Sequence, residues 1–304
     1  MTYSKRPARR ILRHALVSIF VFAVTLPSFA AADESSSPRR LTSDGKLKMD
    51  PVFIKHGDEI VYSTQDKVNQ IDLMRLTLAD RKVEPVHPGV STSELCMTFS
   101  RDEKTRAFIL NNANLHVLLV IERPADAYRV EYNPGGGFAA VRSVSMAPDG
   151  SRIVFAFPEQ AEQQIWSLLA DGKTKTAITS GGGFDGYPRF SPDGRWIAFA
   201  STRDGNFDIF TMTAQGTQIE RLTEHVGIDT RPSWSPDGKQ LAFTSLRDGN
   251  YDIYAINVDG THLRRVTTNP ERDDFPCWHP NGKQLVVVSE RDGRQDLYLV
   301  DVPE

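Results

Sequence analysis

The chain has 304 residues, 39% of them hydrophobic and 25% charged, and a formal charge of −3. That is enough apolar content for one large core, and the missing basic excess argues against a nucleic-acid partner.

Residues 1–32 read as an export signal. Lys5, Arg6, Arg9, Arg10 and Arg13 supply a basic start, Ala15 to Leu26 an apolar run short for a bilayer, and Ala30-Ala31-Ala32 a small-residue cleavage site. The expected product is periplasmic or secreted, and not membrane-spanning after cleavage; an uncleaved anchor is the alternative. Cleavage removes five cations and no carboxylate, which takes the formal charge from −3 to −8. Residues 33–38 form a short polar leader.

From residue 39 onward the sequence repeats. Pro148, Pro192, Pro236 and Pro280 lie 44 residues apart, and weaker copies place Arg101 and Lys55 in the same slot at intervals of 47 and 46. Six repeats result. Each opens with a strand ending in a large apolar residue (Phe53, Phe99, Met146, Phe190, Trp234, Trp278), followed in the clearest copies by Ser-Pro-Asp-Gly, whose residues suit a type I turn. The next run, such as Trp196 to Ser201 or Gln240 to Ser245, is apolar on nearly every residue and suits a strand covered on both faces. An Arg-Asp-Gly loop leads to a third strand, and Gly172, Gly216 or Gly260 turns the chain into a fourth. Four-stranded repeats of roughly 40–45 residues are the mark of propeller blades, so an all-β, six-bladed β-propeller over 39–304 is expected.

Ring closure is legible as well. Arg39-Arg40-Leu41-Thr42 matches Arg264-Arg265-Val266-Thr267, while the sixth repeat stops before its own fourth strand. The N-terminal strand should therefore complete the last blade and pair an edge otherwise open to other chains. Trp234 and Trp278 are expected to be buried between neighbouring blades. Cys96 and Cys277 fall in repeats that are not neighbours, which predicts free thiols. Repeat 2 is the irregular one: after Leu110 only Leu115 to Glu122 resembles a strand.

The pattern at repeats 4 and 5, SPDG[KR]x[IL]AFxSxRDGNxDI[YF], resembles the WD40-like (PD40) propeller repeat of the TolB family. The resemblance covers the chain from about residue 39 to its end. It implies a non-enzymatic, monomeric scaffold of the cell envelope, here without the α/β domain that precedes the propeller in TolB, binding a protein or peptide segment or a glycan. An alternative implied by similar propellers is a metal-dependent polysaccharide lyase.

If the first strands run top to bottom, the Ser-Pro-Asp-Gly turns share the bottom face. The top then carries a candidate binding rim of Asp185, Tyr187, Arg203, Asp229, Arg231, Arg247, Asp273, Phe275 and Arg291. The Asp and Arg members recur in register, which favours mutual pairing that holds the loops; Tyr187, Arg231 and Phe275 share one slot with three different side chains, which favours ligand preference. Gly135 to Phe138 and Gly181 to Phe184 also enter on the top, without the strand-Gly-helix context of a phosphate loop. No nucleophile elbow occurs and no His pair has metal-ligand spacing. His56 and His279 belong to solvated bottom turns of adjacent blades, and His225 and His87 to the top. Neither a catalytic residue, a cofactor nor a metal is expected.

Overall fold

The computed structural model describes Thr2 and residues 38–111, 117–135, 141–159 and 162–303. The described residues from 38 onward belong to the second of two units of the chain, and the expected export signal falls on residues that are not described. The second unit holds six four-stranded antiparallel sheets. Their innermost strands are Lys48–Ile54, Ser93–Phe99, Arg142–Met146, Asp185–Phe190, Asp229–Trp234 and Asp273–Trp278, for blades 1 to 6. Each touches the next, and blade 6 touches blade 1, so the ring is closed. The fold is a six-bladed β-propeller.

Closure follows the expected register. Arg39 and Arg40 pair antiparallel with Leu299 and Tyr298 as the outermost strand of blade 6. The side chains repeat what the other blades do internally. Arg221 meets Asp208 and Arg265 meets Asp252 within blades 4 and 5, at 2.7 and 2.6 Å; Arg40 makes the same pair with Asp296, at 2.5 Å, across most of the chain. Thr42 completes the mimicry. Its Oγ1 accepts from the Leu297 amide at 3.0 Å, as Thr223 does from Ile209 and Thr267 from Ile253. The wholly buried Lys48 adds a further cation 3.4 Å from Asp296.

Apolar side chains form one cluster at each of the six blade interfaces. Both faces of the second strand are used, as its unbroken apolar run predicts. In blade 4 Ile197 and Phe199 face blade 3, while Ala198 and Ala200 receive Leu241 and Phe243 of blade 5. Large residues on one face thus pack onto small ones across the interface, which fills the space without voids.

Two expectations change. Blade 2 is a complete four-stranded sheet: Val117–Arg123 is followed by a 3-10 turn, Pro124–Asp126, and a fourth strand, Tyr128–Tyr132. Pro124 and a left-handed Ala127 turn the chain where repeats 3, 4 and 5 use Gly172, Gly216 and Gly260, so the turn signal of those repeats is missing. Trp278 is buried at 6% exposure, but Trp234 is only half-buried and donates Nε1–H to the Arg189 carbonyl of blade 4 at 3.0 Å.

Candidate functional site

The innermost strands hold the site, and each of them carries a bulge. The register with the second strand shifts once per blade, and within the shift one residue takes a left-handed conformation: Asp50, Cys96, Ser143, Tyr187, Arg231 and Phe275, with φ from 48° to 56°. Six non-glycine residues held in this region in register mark a built feature. Pro51, Pro188, Pro232 and Pro276 follow four of them, and proline suits a bulge because it has no N–H to give the ladder. The slot expected to vary is therefore the bulge slot, and it has six members, not three.

Around the ring this slot divides into halves. Blades 4 to 6 carry Tyr187, Arg231 and Phe275, and blades 1 to 3 the smaller Asp50, Cys96 and Ser143. The large residues form one shelf. The Arg231 guanidinium lies 4.8 Å from the Tyr187 ring centroid and 4.3 Å from that of Phe275, within cation–π range of both. Asp274 pairs with it at 3.3 Å. That carboxylate also accepts from Thr244 Oγ1 at 2.8 Å and pairs with Arg272, so the shelf is held from behind.

Below the shelf runs a channel of about 340 Å³, lined among others by Asp50, Cys96, Arg189, Arg231 and Phe275. Arg189 stands two residues past the bulge, where blades 2, 3 and 5 carry Thr98, Ser145 and Ser233. Those hydroxyls accept a backbone N–H from the following blade at 3.0, 3.1 and 3.4 Å. Arg189 abandons this role and extends toward Asp50 on the opposite blade, Nη2 lying 3.7 Å from Oδ1. Burial pushes the Asp50 carboxyl up, while Arg189 and Arg231 draw it down and Asp274 opposes them. At the bottom, Arg101 replaces the turn proline, and its guanidinium donates to the Pro192 carbonyl two blades away. This arm lies across the lower opening.

The remaining rim candidates are engaged with one another. Arg203 binds both oxygens of Asp185, at 3.1 and 3.0 Å, and Arg247 binds Asp229 at 2.8 Å. Each guanidinium also rests on aromatic rings of its own blade. Asp273 and Arg291 differ: no ion pair joins them among the described residues, and Arg291 donates Nε–H to Ser289 and stacks on Tyr298. Asp50, Arg189 and Arg101 were not among the sequence candidates. Aligning Ser145, Arg189 and Ser233 by the 44-residue period would have exposed Arg189, since only there does a cation replace a small hydroxyl.

Of the five described histidines, His56 and His262 are exposed and His87, His225 and His279 are half-buried. His87 packs between blades 1 and 2, with Nδ1 2.6 Å from Glu94 and Nε2 3.3 Å from Glu122. Burial alone would lower its pKa, but hydrogen bonds to Glu122 and Glu94 outweigh this and raise it to about 9. Glu122 also takes Arg106 and Arg129, and against the effect of burial these partners hold it down at about 2. His279, expected to be solvated, meets Phe53 edge-on at 4.7 Å, and burial lowers its pKa. Among the described residues no group of three or more His, Cys, Asp or Glu side chains is arranged to hold a metal ion. Both cysteines are free. On the bottom face a second concavity, of about 490 Å³, is lined in part by Trp196, Trp234 and Glu220.

The family model described as PD40, TolB beta propeller domain, matches residues 143–304. The chain belongs to this family. Solved TolB structures share the architecture. The putative TolB of Agrobacterium tumefaciens is 21% identical with a TM-score of 0.67, covering 87% of this chain and 93% of that one. TolB of Acinetobacter baumannii is 19% identical with a TM-score of 0.65, covering 80% of this chain and 64% of that one. An oligogalacturonate lyase of Vibrio parahaemolyticus is 14% identical with a TM-score of 0.55, covering 87% and 93%. No curated protein matches by sequence. At such identities the likeness to these structures is one of fold. Among the described residues no helix is long and apolar enough to cross a membrane.

Proposed function

We propose that this PD40 propeller is an exported binding scaffold of the cell envelope that holds a protein segment at its top rim and channel mouth. The export signal read at residues 1–32 supports the compartment, and membership of the TolB propeller family supports a protein partner. The observation that carries the reading is the shelf of Tyr187, Arg231 and Phe275, built on bulges that aim three unlike side chains at one rim. Half-buried aromatics beside an arginine are the residue types that anchor interfaces. The repeated Asp185–Arg203 and Asp229–Arg247 pairs hold the surrounding loops and leave the shelf as the recognition element.

The test is crosslinking in the native envelope, with identification of what the full chain captures. Tyr187→Ala combined with Phe275→Ala should weaken capture at least tenfold with the fold intact by circular dichroism. Undiminished capture by that double variant, or cleavage of an envelope glycan by the purified chain, would overturn the reading.

A further inference from the structure

Resting on that binding reading, we infer that the channel is a carboxylate receptor: it takes the carboxylate of a bound peptide, from a chain terminus or an acidic side chain, between Arg231 and Arg189. The first support is charge. The acidic and basic side chains lining the channel are Arg101, Arg189, Arg231 and Asp50, an excess of two positive charges inside a chain whose formal charge is −3. Including Asp274 and its partner Arg272 leaves that excess unchanged. A narrow, low-dielectric passage lined by one sign of charge concentrates the opposite sign.

The second support is unspent donor capacity. Arg189 uses Nη1 on the carbonyls of Val144 and Pro188, both at 3.2 Å, while Nη2 lies 3.7 Å from Asp50, beyond hydrogen-bond reach of it. Among the described residues Arg231 Nε, though buried, has no hydrogen-bond partner. A buried donor left unpaired is costly, and an incoming carboxylate oxygen would relieve it. The rings of Tyr187 and Phe275 fix the Arg231 plane in advance, which favours recognition of a planar, two-oxygen group.

The third support is that both arginines break the repeat. Arg189 forfeits the interblade hydrogen bond made by Ser145 and Ser233, and Arg231 stands where the adjacent blades have aromatics. Asp50 is the resident counter-ion. It competes with the ligand, so neutralising it should strengthen binding. The arm of Arg101 across the floor leaves the top as the way in.

The experiment uses a pool of random-sequence hexapeptides made once as free acids and once as C-terminal carboxamides, each with and without internal Asp and Glu, passed over the immobilised full chain. Peptides carrying a carboxylate in either position should be retained at least tenfold better than the amidated pool without acidic residues, and the two arms tell the terminus from the side chain. Arg231→Gln and Arg189→Gln should each remove most of that preference. Asp50→Asn should increase retention several-fold; Asn tolerates the left-handed backbone there, so this gain does not depend on a variant that fails to fold. Retention of the amidated pool without acidic residues equal to that of the carboxylate-bearing pools would overturn the inference and leave the binding reading standing, as would envelope capture by the wild type with no pool retained. Loss of envelope capture in the crosslinking test is the separate failure of the binding reading itself.

Discussion

Trp278 and Trp234 occupy one slot in successive blades yet differ in environment, and the difference sets what each substitution should cost. Trp278 sits among Ala242, Ile253 and Val287 at 6% exposure, so Trp278→Ala should destabilise by about 3–5 kcal/mol in denaturant unfolding. Among the described residues its indole N–H has no hydrogen-bond partner, so Trp278→Phe, which deletes that donor, should recover most of the loss. His87 makes a different prediction. Its folded pKa, about 9, exceeds the unfolded value of about 6.5. Its contribution to stability is therefore fully present below about pH 6.5 and disappears as pH rises through about 9. Glu122, lowered to about 2, contributes above its ordinary range and loses that contribution as pH falls toward 2. The melting temperature should fall between pH 6.5 and 9 in the wild type, and the fall should be shallower in His87→Gln. Equal slopes would mean that the cluster is not charged as described.

At the scale of elements, the closing strand was legible because Arg39 to Thr42 copies a fourth strand residue by residue, and the copied residues are those that bond. Arg40 and Thr42 both bind Asp296, at 2.5 and 2.8 Å. Asp296→Ala would take that carboxylate from the partly exposed Arg40 and leave the buried Lys48 with one carboxylate fewer, so the melting temperature should fall. Deleting Arg39 to Ser43 should do more, because it uncovers the edge of Arg294–Asp301. A lowered melting temperature with higher oligomers in gel filtration is the expected result; an unchanged melting temperature would rule out the pairing as a stabiliser. The fourth strand of blade 2 and the bulges were not legible for related reasons. Pro124 and Ala127 form a turn without the Gly that repeats 3, 4 and 5 place there. The bulges depend on a backbone conformation that no single residue type announces, and only the prolines following four of them hint at it.

The whole molecule is a near-symmetric ring with an asymmetric mouth. Blades 4 to 6 fill the bulge slot with Tyr187, Arg231 and Phe275, whereas blades 1 to 3 leave it to Asp50, Cys96 and Ser143, so free space at the mouth lies toward blades 1 to 3. A bound segment should lie there, facing the shelf. Ser143→Tyr tests this without disturbing the fold, because the same left-handed position in blade 4 already carries tyrosine. The added ring should fill the open half and reduce capture at least tenfold, with a melting temperature within a few degrees of wild type. Trp196→Ala supplies the contrast. It strips the bottom concavity of an indole that no other blade has at that position, where the others carry Glu59, Arg106, Arg152, Gln240 and Gln284. If the top mouth is the binding surface, this change should leave capture intact. Capture that survives Ser143→Tyr but fails in Trp196→Ala would move recognition to the bottom face, where a half-buried indole shares a concavity with Glu220 and Asp237 and suits a sugar better than a peptide, and the channel-mouth model would have to be abandoned.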